Sequence, residues 1–380
     1  MKHPVYLDYN ATTPVDPEVA KEMLPYIESF YGNPSSSYSL GRSNKEAVEK
    51  ARVQVAELIN CQPQEIYFTS CATESNNLAI KGIAWANSDK GRHIITSAIE
   101  HPAVTEVCKF LGSQGFEITN LLADKYGWVN PKDVESAIRK DTVLITVMHA
   151  NNEVGTIQPI QEIGAIARQN DILFHTDASQ SVGKIETDVN QLGVDLLTLA
   201  GHKLYAPKGI GALYIRKGTQ IENLMQGAGQ ENGIRPGTEN VIHIVGLGKA
   251  CEVALRDFKQ NQHNMQVSRD LLLDGLVSQL GNQVHVNGSM ENCLPNTLSV
   301  AFENVSAYAL ASFISSDVLI STGSACHSGE TTISSVLQAM NLDFRTAAAT
   351  VRISTGKKTK KEEIDFTVEV ITNAVKKLTI

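Results

Sequence analysis

The sequence predicts an α/β fold in which a mostly parallel sheet is covered by helices and followed by a smaller α+β domain. Two observations lead there. From Glu65 to about Arg216, apolar runs such as RHIITS, EITNLL, TVLITVMH, DILFH and DLLTLA alternate with helical stretches such as PIQEIGAIARQN. Near residue 258 this gives way to a long helical stretch, DFKQNQHNMQVSRDLLLDGLVSQLG, followed by the strand-like runs QVHVNG, TLSVAFE and DVLIST. A chain of 380 residues, 42% of them hydrophobic, is long enough for two domains with a core each.

The elements can be justified in order. YLDYNATTP (6–14) reads as a short strand that turns at Asn10 and stops at Pro14, and Asp16-Pro17 is a good N-cap and first-turn pair for the helix PEVAKEMLPYI. A polar loop around Tyr31–Tyr38 precedes the amphipathic helix RSNKEAVEKARVQVAELIN. EIYFTS is a strand that passes through the small residues Cys71, Ala72 and Thr73 into another amphipathic helix. VDLLTLA and GALYIR are strands flanking GHKLYAPKGIG, whose glycines and proline suit neither helix nor strand. In the last third, AYALASFI and EEIDFTVEVITNAVKKL read as helices and VRISTG as a strand. No repeat, low-complexity tract or linker interrupts the chain.

Composition excludes several functions. A net charge of −8 argues against direct nucleic-acid binding, which needs a basic stripe. No run approaches the ~18 apolar residues of a membrane span, and MKHPVYLDYN has no apolar signal core, so a cytoplasmic setting is expected. The six cysteines show neither C-x-x-C nor Cys/His spacing, which predicts free thiols and no metal. Cys108 and Cys251 sit on helix-like patterns as small core residues. Cys326, in STGSACHSGETT, is surrounded by small and flexible residues and reads as an exposed thiol on a mobile loop.

Three segments suggest chemistry together. Lys203, delivered by a strand end into a Gly-rich bend, is placed to carry a carbonyl cofactor as a Schiff base, given a desolvated amine. Asp177, at the carboxyl end of the strand DILFH, is costly to bury without a positive partner, and a protonated pyridine nitrogen is such a partner. The helix opened by Ala72 and Thr73 offers free N–H groups and a positive dipole end to a phosphate. Phosphate, ring and aldehyde of pyridoxal 5'-phosphate are thereby matched in chain order.

These segments resemble the cysteine desulfurases of the NifS/IscS type, within the class V aminotransferase-like enzymes. The likeness rests on YLDYNATTP, FTSCATESNNLAIKG, IEHPAV, HANNEVGTIQP, HTDASQSVGK, GHKLYAPKGIGALYIR, RPGT, STGSACHSG and VRISTGK, which follow the family's order from residue 6 to 357. It implies a fold type I transferase: a large cofactor-binding domain (14–257) with a seven-stranded sheet, and a small domain (1–13 and 258–380) carrying the cysteine loop. The implied reaction converts L-cysteine to L-alanine through a persulfide on Cys326, passed to acceptor proteins that serve iron–sulfur cluster assembly, tRNA thiolation or DNA sulfur modification.

The resemblance also assigns roles. Lys203, Cys326 and His101 are catalytic, with His101 against the cofactor ring. Ala72, Thr73 and His202 hold the phosphate, Asp177 the ring nitrogen, and Gln180 and Asn152 the phenolate side. Asn10, Asn152 and Arg352 bind the substrate, with Arg352 as a fork for its carboxylate. Thr238, in RPGT, reaches the phosphate of a second subunit, which implies a homodimer. The sequence departs from the family at Ala200, where many relatives have Ser, and at Cys71, where Gly is common. A selenocysteine lyase is the nearest alternative. An aminotransferase of the same class would need no loop cysteine. A dinucleotide enzyme is disfavoured because Gly209-Ile210-Gly211 has no third glycine at the right offset.

Overall fold

The computed structural model describes residues 4–327 and 330–379, and for 324–327 and 330–332 the backbone alone. The chain runs β1 (Val5–Tyr6), α1 (Pro17–Glu28), α2 (Ser39–Ile59), β2 (Ile66–Thr69), α3 (Ala72–Ala86), β3 (His93–Ser97), α4 (Pro102–Ser113) and β4 (Glu117–Leu121). It continues through α5 (Pro131–Ala137), β5 (Thr142–Thr146), α6 (Ile160–Gln169), β6 (Leu173–Asp177), α7 (Val189–Leu192), β7 (Leu196–Ala200) and β8 (Gly211–Ile215).

Strands β2 to β8 form one seven-stranded sheet in the order β2-β8-β7-β6-β5-β3-β4. Only β8 runs against the rest, pairing antiparallel with both β2 and β7. Alternation along each strand divides the core between the two faces. Ile94, Leu144, Leu196 and Leu213 pack under α3 and α4 with Leu78, Ile83 and Val107. Their neighbours Ile95, Ile145, Leu197 and Tyr214 pack against Val55, Ile163 and Leu247 from α2, α6 and the later helix α8 (Val241–Arg256).

The remainder comprises α9 (Phe258–Leu280), β9 (Val284–Val286), β10 (Thr297–Phe302), α10 (Ala307–Ile314), β11 (Val318–Leu319), β12 (Ser321–Thr322), β13 (Ser324–His327) and β14 (Glu330–Ile333). Short α11 (Ser335–Ala339) and α12 (Phe344–Ala348), then β15 (Thr350–Ser354) and α13 (Lys361–Leu378), complete it. The run DVLIST, expected as one strand, divides into β11, paired with β1, and the two-residue β12, which joins a four-stranded antiparallel sheet, β12-β15-β10-β9. Leu276, Leu298, Val300, Phe302, Ile353 and Ile371 form a separate core beneath it.

Two local expectations change. The strand expected over 6–14 is confined to Val5–Tyr6, paired parallel to β11, with turn from Tyr9 to Ala11. Cys326 was expected on a loop; its backbone instead lies in β13, paired antiparallel with β14 and opposite Thr331. The β-branched run Thr331, Thr332, Ile333 favours that hairpin. The Cys326 side chain lies outside the described residues.

Residues 8–16 thread between the two sheets. Asp8 bridges to Ser354 and Asn10 N–H donates to the Ser354 hydroxyl at 2.9 Å. A few residues on, Thr13 N–H donates to the His202 carbonyl at 3.0 Å and Asp16 N–H to the Tyr205 carbonyl at 3.0 Å. The N-terminal segment therefore touches both β15 and the Lys203 turn.

Candidate active site

The carboxyl ends of the parallel strands gather the predicted side chains, as open α/β sheets do for their ligands. Asp177 ends β6, Lys203 closes the 3₁₀ turn Gly201–Lys203 directly after β7, and His101 caps α4 after β3. A cavity of about 410 Å³ is lined by Asn10, Ala72, Thr73, His101, Asn152, Asp177, Gln180, His202, Lys203 and Arg352. Thr238 is exposed and lines a separate, smaller cleft with Ser70 and Arg235. A larger surface cleft of about 750 Å³, beside Asp188, Arg256 and Lys259, holds none of the predicted residues.

Lys203 is largely buried. Its Nζ donates to the Asn10 carbonyl, and at 2.6 Å to the Ala11 carbonyl. Burial, reinforced by the Arg352 charge and opposed by Asp8 and Asp177, lowers its pKa to about 8. An amine so depressed has a substantial neutral fraction near physiological pH, as an attacking lysine requires. Next to it, His202 Nδ1 meets the Thr12 hydroxyl at 3.1 Å, and burial with the charges of Lys203 and Lys208 lowers it to about 4. His202 is therefore neutral near pH 7.

Asp177 is 5% exposed and accepts from Asn76 Nδ2 at 2.7 Å and from Ser179 N–H at 2.9 Å. Both donors are neutral, which leaves a buried carboxylate facing the cavity without an ion pair among the described residues. His101 accepts the Ala103 N–H on Nδ1 at 3.1 Å, so its ring proton sits on Nε2; burial lowers its pKa, with Lys203 adding to the effect and Asp177 opposing it. At α3, the N-cap Cys71 makes no side-chain cap, so first-turn N–H groups remain for an anion. Gly211 lets this turn approach: a Cβ there would stand 2.8 Å from the Cys71 carbonyl carbon.

Arg352 Nη2 donates to Asp8 at 2.7 Å and to the Ser321 hydroxyl at 3.0 Å, and Nη1 to the Asn152 carbonyl at 2.9 Å, while its buried Nε has no partner. The buried Asn152 Oδ1 also lacks one. The hairpin bearing Cys326 springs from this place, since Ser321 lies five positions before Cys326, an extended reach of roughly 16 Å. Its far end is tied by Ser334, whose hydroxyl donates to Glu153 beside Asn152.

Sequence reasoning did not single out Asn76, Asp8 or Lys184. Asn76 carried a usable signal: a polar residue on the buried face of an amphipathic helix. Ala200 lines the cavity with its methyl group. No group of His, Cys, Asp and Glu side chains fit to hold a metal occurs among the described residues, and no described helix is long and apolar enough to cross a membrane.

A depressed lysine, an ion-pair-free buried carboxylate and an uncapped helix start share one cavity, and the chain belongs to the class V aminotransferase family, which it matches over residues 5–366. Within that family its relatives are cysteine desulfurases of the NifS and IscS type. It is 47% identical over 379 residues to the cysteine desulfurase IscS of Dictyoglomus turgidum, covering 100% of this chain and 96% of that one. Against the cysteine desulfurase IscS of Methanosarcina thermophila the identity is 48%, over 98% of this chain and 92% of the relative. Among solved structures, a NifS-like protein superposes with a TM-score of 0.93 at 39% identity, over 99% of this chain and 100% of the other. A structure of SspA in complex with cysteine superposes with a TM-score of 0.83 at 40% identity, covering 94% and 100%.

Enzymes of this family depend on pyridoxal 5'-phosphate. The residues present fit it: Lys203 can hold the aldehyde, Asp177 can meet the ring nitrogen as its missing cationic partner, and the α3 start can take the phosphate.

Proposed function

We infer that this chain is a pyridoxal-phosphate-dependent cysteine desulfurase that converts L-cysteine to L-alanine and carries the sulfur away as a persulfide on Cys326. The observation that carries the reading is the meeting of Lys203, Asp177 and Arg352 on one cavity. When bound, pyridoxal phosphate supplies an electron sink beside the substrate's amino carbon.

The protein's own residues do the rest. Arg352 offers its fork to the substrate carboxylate, with Asn10 and Asn152 beside it. Asp177 keeps a positive charge favourable at the ring nitrogen. The Lys203 amine would move the proton on the amino carbon, and His101 would stand beside the ring. The Cys326 thiolate then attacks the substrate sulfur. Its C–S bond breaks as the S–S bond forms, the electron pair stays on the substrate's methylene carbon, which takes up a proton, and the proton held by Lys203 goes back to the amino carbon so that alanine leaves. Burial raises Cys61 and Cys108 to about 12 and Cys293 to about 11, which makes those three thiols poor rivals.

In this reading residues 14–257 carry the cofactor, and 1–13 with 258–380 carry Arg352 and the cysteine hairpin. The active unit is a homodimer, with the exposed Thr238 turned to the second subunit's phosphate. Persulfide sulfur passes to acceptor proteins, scaffold or carrier, that serve iron–sulfur cluster assembly, tRNA thiolation or DNA sulfur modification. The free thiols Cys61, Cys71, Cys108, Cys251 and Cys293 suit a reducing cytoplasm. Selenocysteine lyase is not favoured, because the relatives at 47% and 48% identity are cysteine desulfurases.

The test compares wild type with Cys326→Ala. Both should take up pyridoxal phosphate and show its visible band, while alanine release from cysteine falls at least about 100-fold in the variant. Alanine release at the wild-type rate would remove Cys326 from the reaction.

A further inference from the structure

Lys184 is a buried lysine, 5% exposed, that does not line the cavity and has no carboxylate partner among the described residues. Burying an amine without a counter-charge is costly. What it meets instead are two side-chain amides: Nζ donates to Gln180 Oε1 at 3.0 Å and to Asn10 Oδ1 at 3.2 Å.

Both amides line the cavity, and their other atoms have fixed partners. Gln180 Nε2 donates to the Asn10 carbonyl at 2.9 Å, and Asn10 Nδ2 to Thr297 Oγ1 at 2.8 Å and to the Asn152 carbonyl at 3.3 Å. Backbone carbonyls only accept, so the N–H ends must face them and the oxygen ends must face Lys184. Asn296 Nδ2, which also donates to the Thr355 carbonyl at 3.2 Å, adds a second donor to Asn10 Oδ1 at 2.9 Å. Gln180 Oε1, in contrast, has Lys184 alone among the described residues. Without that donor a buried acceptor would be orphaned, and the Asn10 carbonyl alone would be left to hold the amide.

The placement matters because the Asn10 carbonyl also accepts from Lys203 Nζ. The Gln180 amide nitrogen and the cofactor-bearing amine therefore converge on one oxygen, and the second Gln180 N–H is left for an acceptor in the cavity. Burial, with Lys203 and Arg352 adding to it, pushes the Lys184 pKa well below the usual lysine value. Its role does not need the charge, because a neutral amine still has two hydrogens to donate.

We propose that Lys184 is a positioning residue: by holding Gln180 Oε1 it keeps the Gln180 N–H turned toward the phenolate oxygen of bound pyridoxal phosphate. This rests on the cofactor reading above.

The experiment is a pH titration of the visible cofactor band in the holoenzyme, for wild type, Lys184→Met, Gln180→Leu and the double variant. An N–H donated to the phenolate favours its ionised form, so its loss should raise the midpoint by roughly half to one pH unit, the size of one buried hydrogen bond. Both single variants should show that rise, and the double variant no more than either. Lys203, Arg352, Asp8, Asp177, His101 and His202 are present throughout, so a shared, non-additive shift belongs to the Gln180 amide. Where Lys184→Met does not fold, Lys184→Ala replaces it, and propylamine should return its raised midpoint toward wild type. A Lys184 variant with the wild-type midpoint, or a double variant showing the sum of the single shifts, would overturn the proposal. A wild-type protein that takes up no pyridoxal phosphate would overturn the cofactor reading with it.

Discussion

Arg352 and Asp8, 344 positions apart in the chain, form an ion pair at 2.7 Å at the edge of the cavity. The fork expected to receive a substrate carboxylate is thus already held by a protein carboxylate. On the proposed function, binding would be an exchange of partners, with Asp8 setting how tightly the substrate must hold to win it. The pair is partly buried, with side chains 12% and 18% exposed, so solvent screens it only in part.

Replacing Asp8 by Asn keeps an acceptor oxygen but removes the competing charge. The apparent Kd for cysteine or alanine, followed by the cofactor band, should fall about 5-fold, equivalent to roughly 1 kcal/mol. Arg352→Lys should weaken it by about 10- to 100-fold through loss of the planar fork. An unchanged Kd in Asp8→Asn would mean that the ion pair does not compete with substrate.

Lys203 gives a pH prediction with a definite sign. Its pKa is lowered to about 8, and only the neutral amine attacks an aldehyde. Recombination of cofactor-free protein with pyridoxal phosphate, followed by stopped-flow absorbance, should speed up with rising pH and level off above about 9. A rate that climbs steadily toward pH 10.5 would show an unperturbed lysine. Lys203→Ala should form no lysine-linked band at any pH.

Glu100, directly before His101, is fully buried. Burial raises its pKa to about 8 despite the hydrogen bonds from the Ser97 hydroxyl and Met148 N–H. A folded-state pKa above the unfolded value means that the folded protein holds the proton longer. Stability therefore falls as pH rises from about 4.5 to about 8. Glu100→Gln mimics the protonated acid and should match wild type near pH 5 yet exceed it by about 2–4 kcal/mol at pH 8 in urea unfolding. Equal stabilities at both pH values would show that Glu100 ionises freely in the fold.

Much of the architecture could be read from local pattern. Pairs such as Ile94 and Ile95, or Leu196 and Leu197, announce strands buried on both faces, and those strands carry Asp177 and Lys203 to one end of the sheet. Asp8 could not be read in this way, because nothing near YLDYN says that it meets a residue 344 positions later. Lys184 was equally silent: its partners are neutral amides, which leave no complementary charge in the sequence. The Cys326 hairpin is hidden from local pattern, because its small residues suggest a loop while the pairing depends on the β-branched residues opposite.

The segment from Asp8 to Asp16, pinned to Ser354 and Arg352 at one end and to the Lys203 turn at the other, has a consequence for biosynthesis. Residues 8–16 must wait for β15, more than 330 positions later in the chain, before their final contacts exist. A chain still on the ribosome can close its larger sheet, yet the pocket wall contributed by Asn10 stays unfinished until β15 has been made. Assembly of the whole pocket is thereby coupled to synthesis of β15, and a chain released before Arg352 would keep its lysine and lack the guanidinium proposed to grip an amino acid.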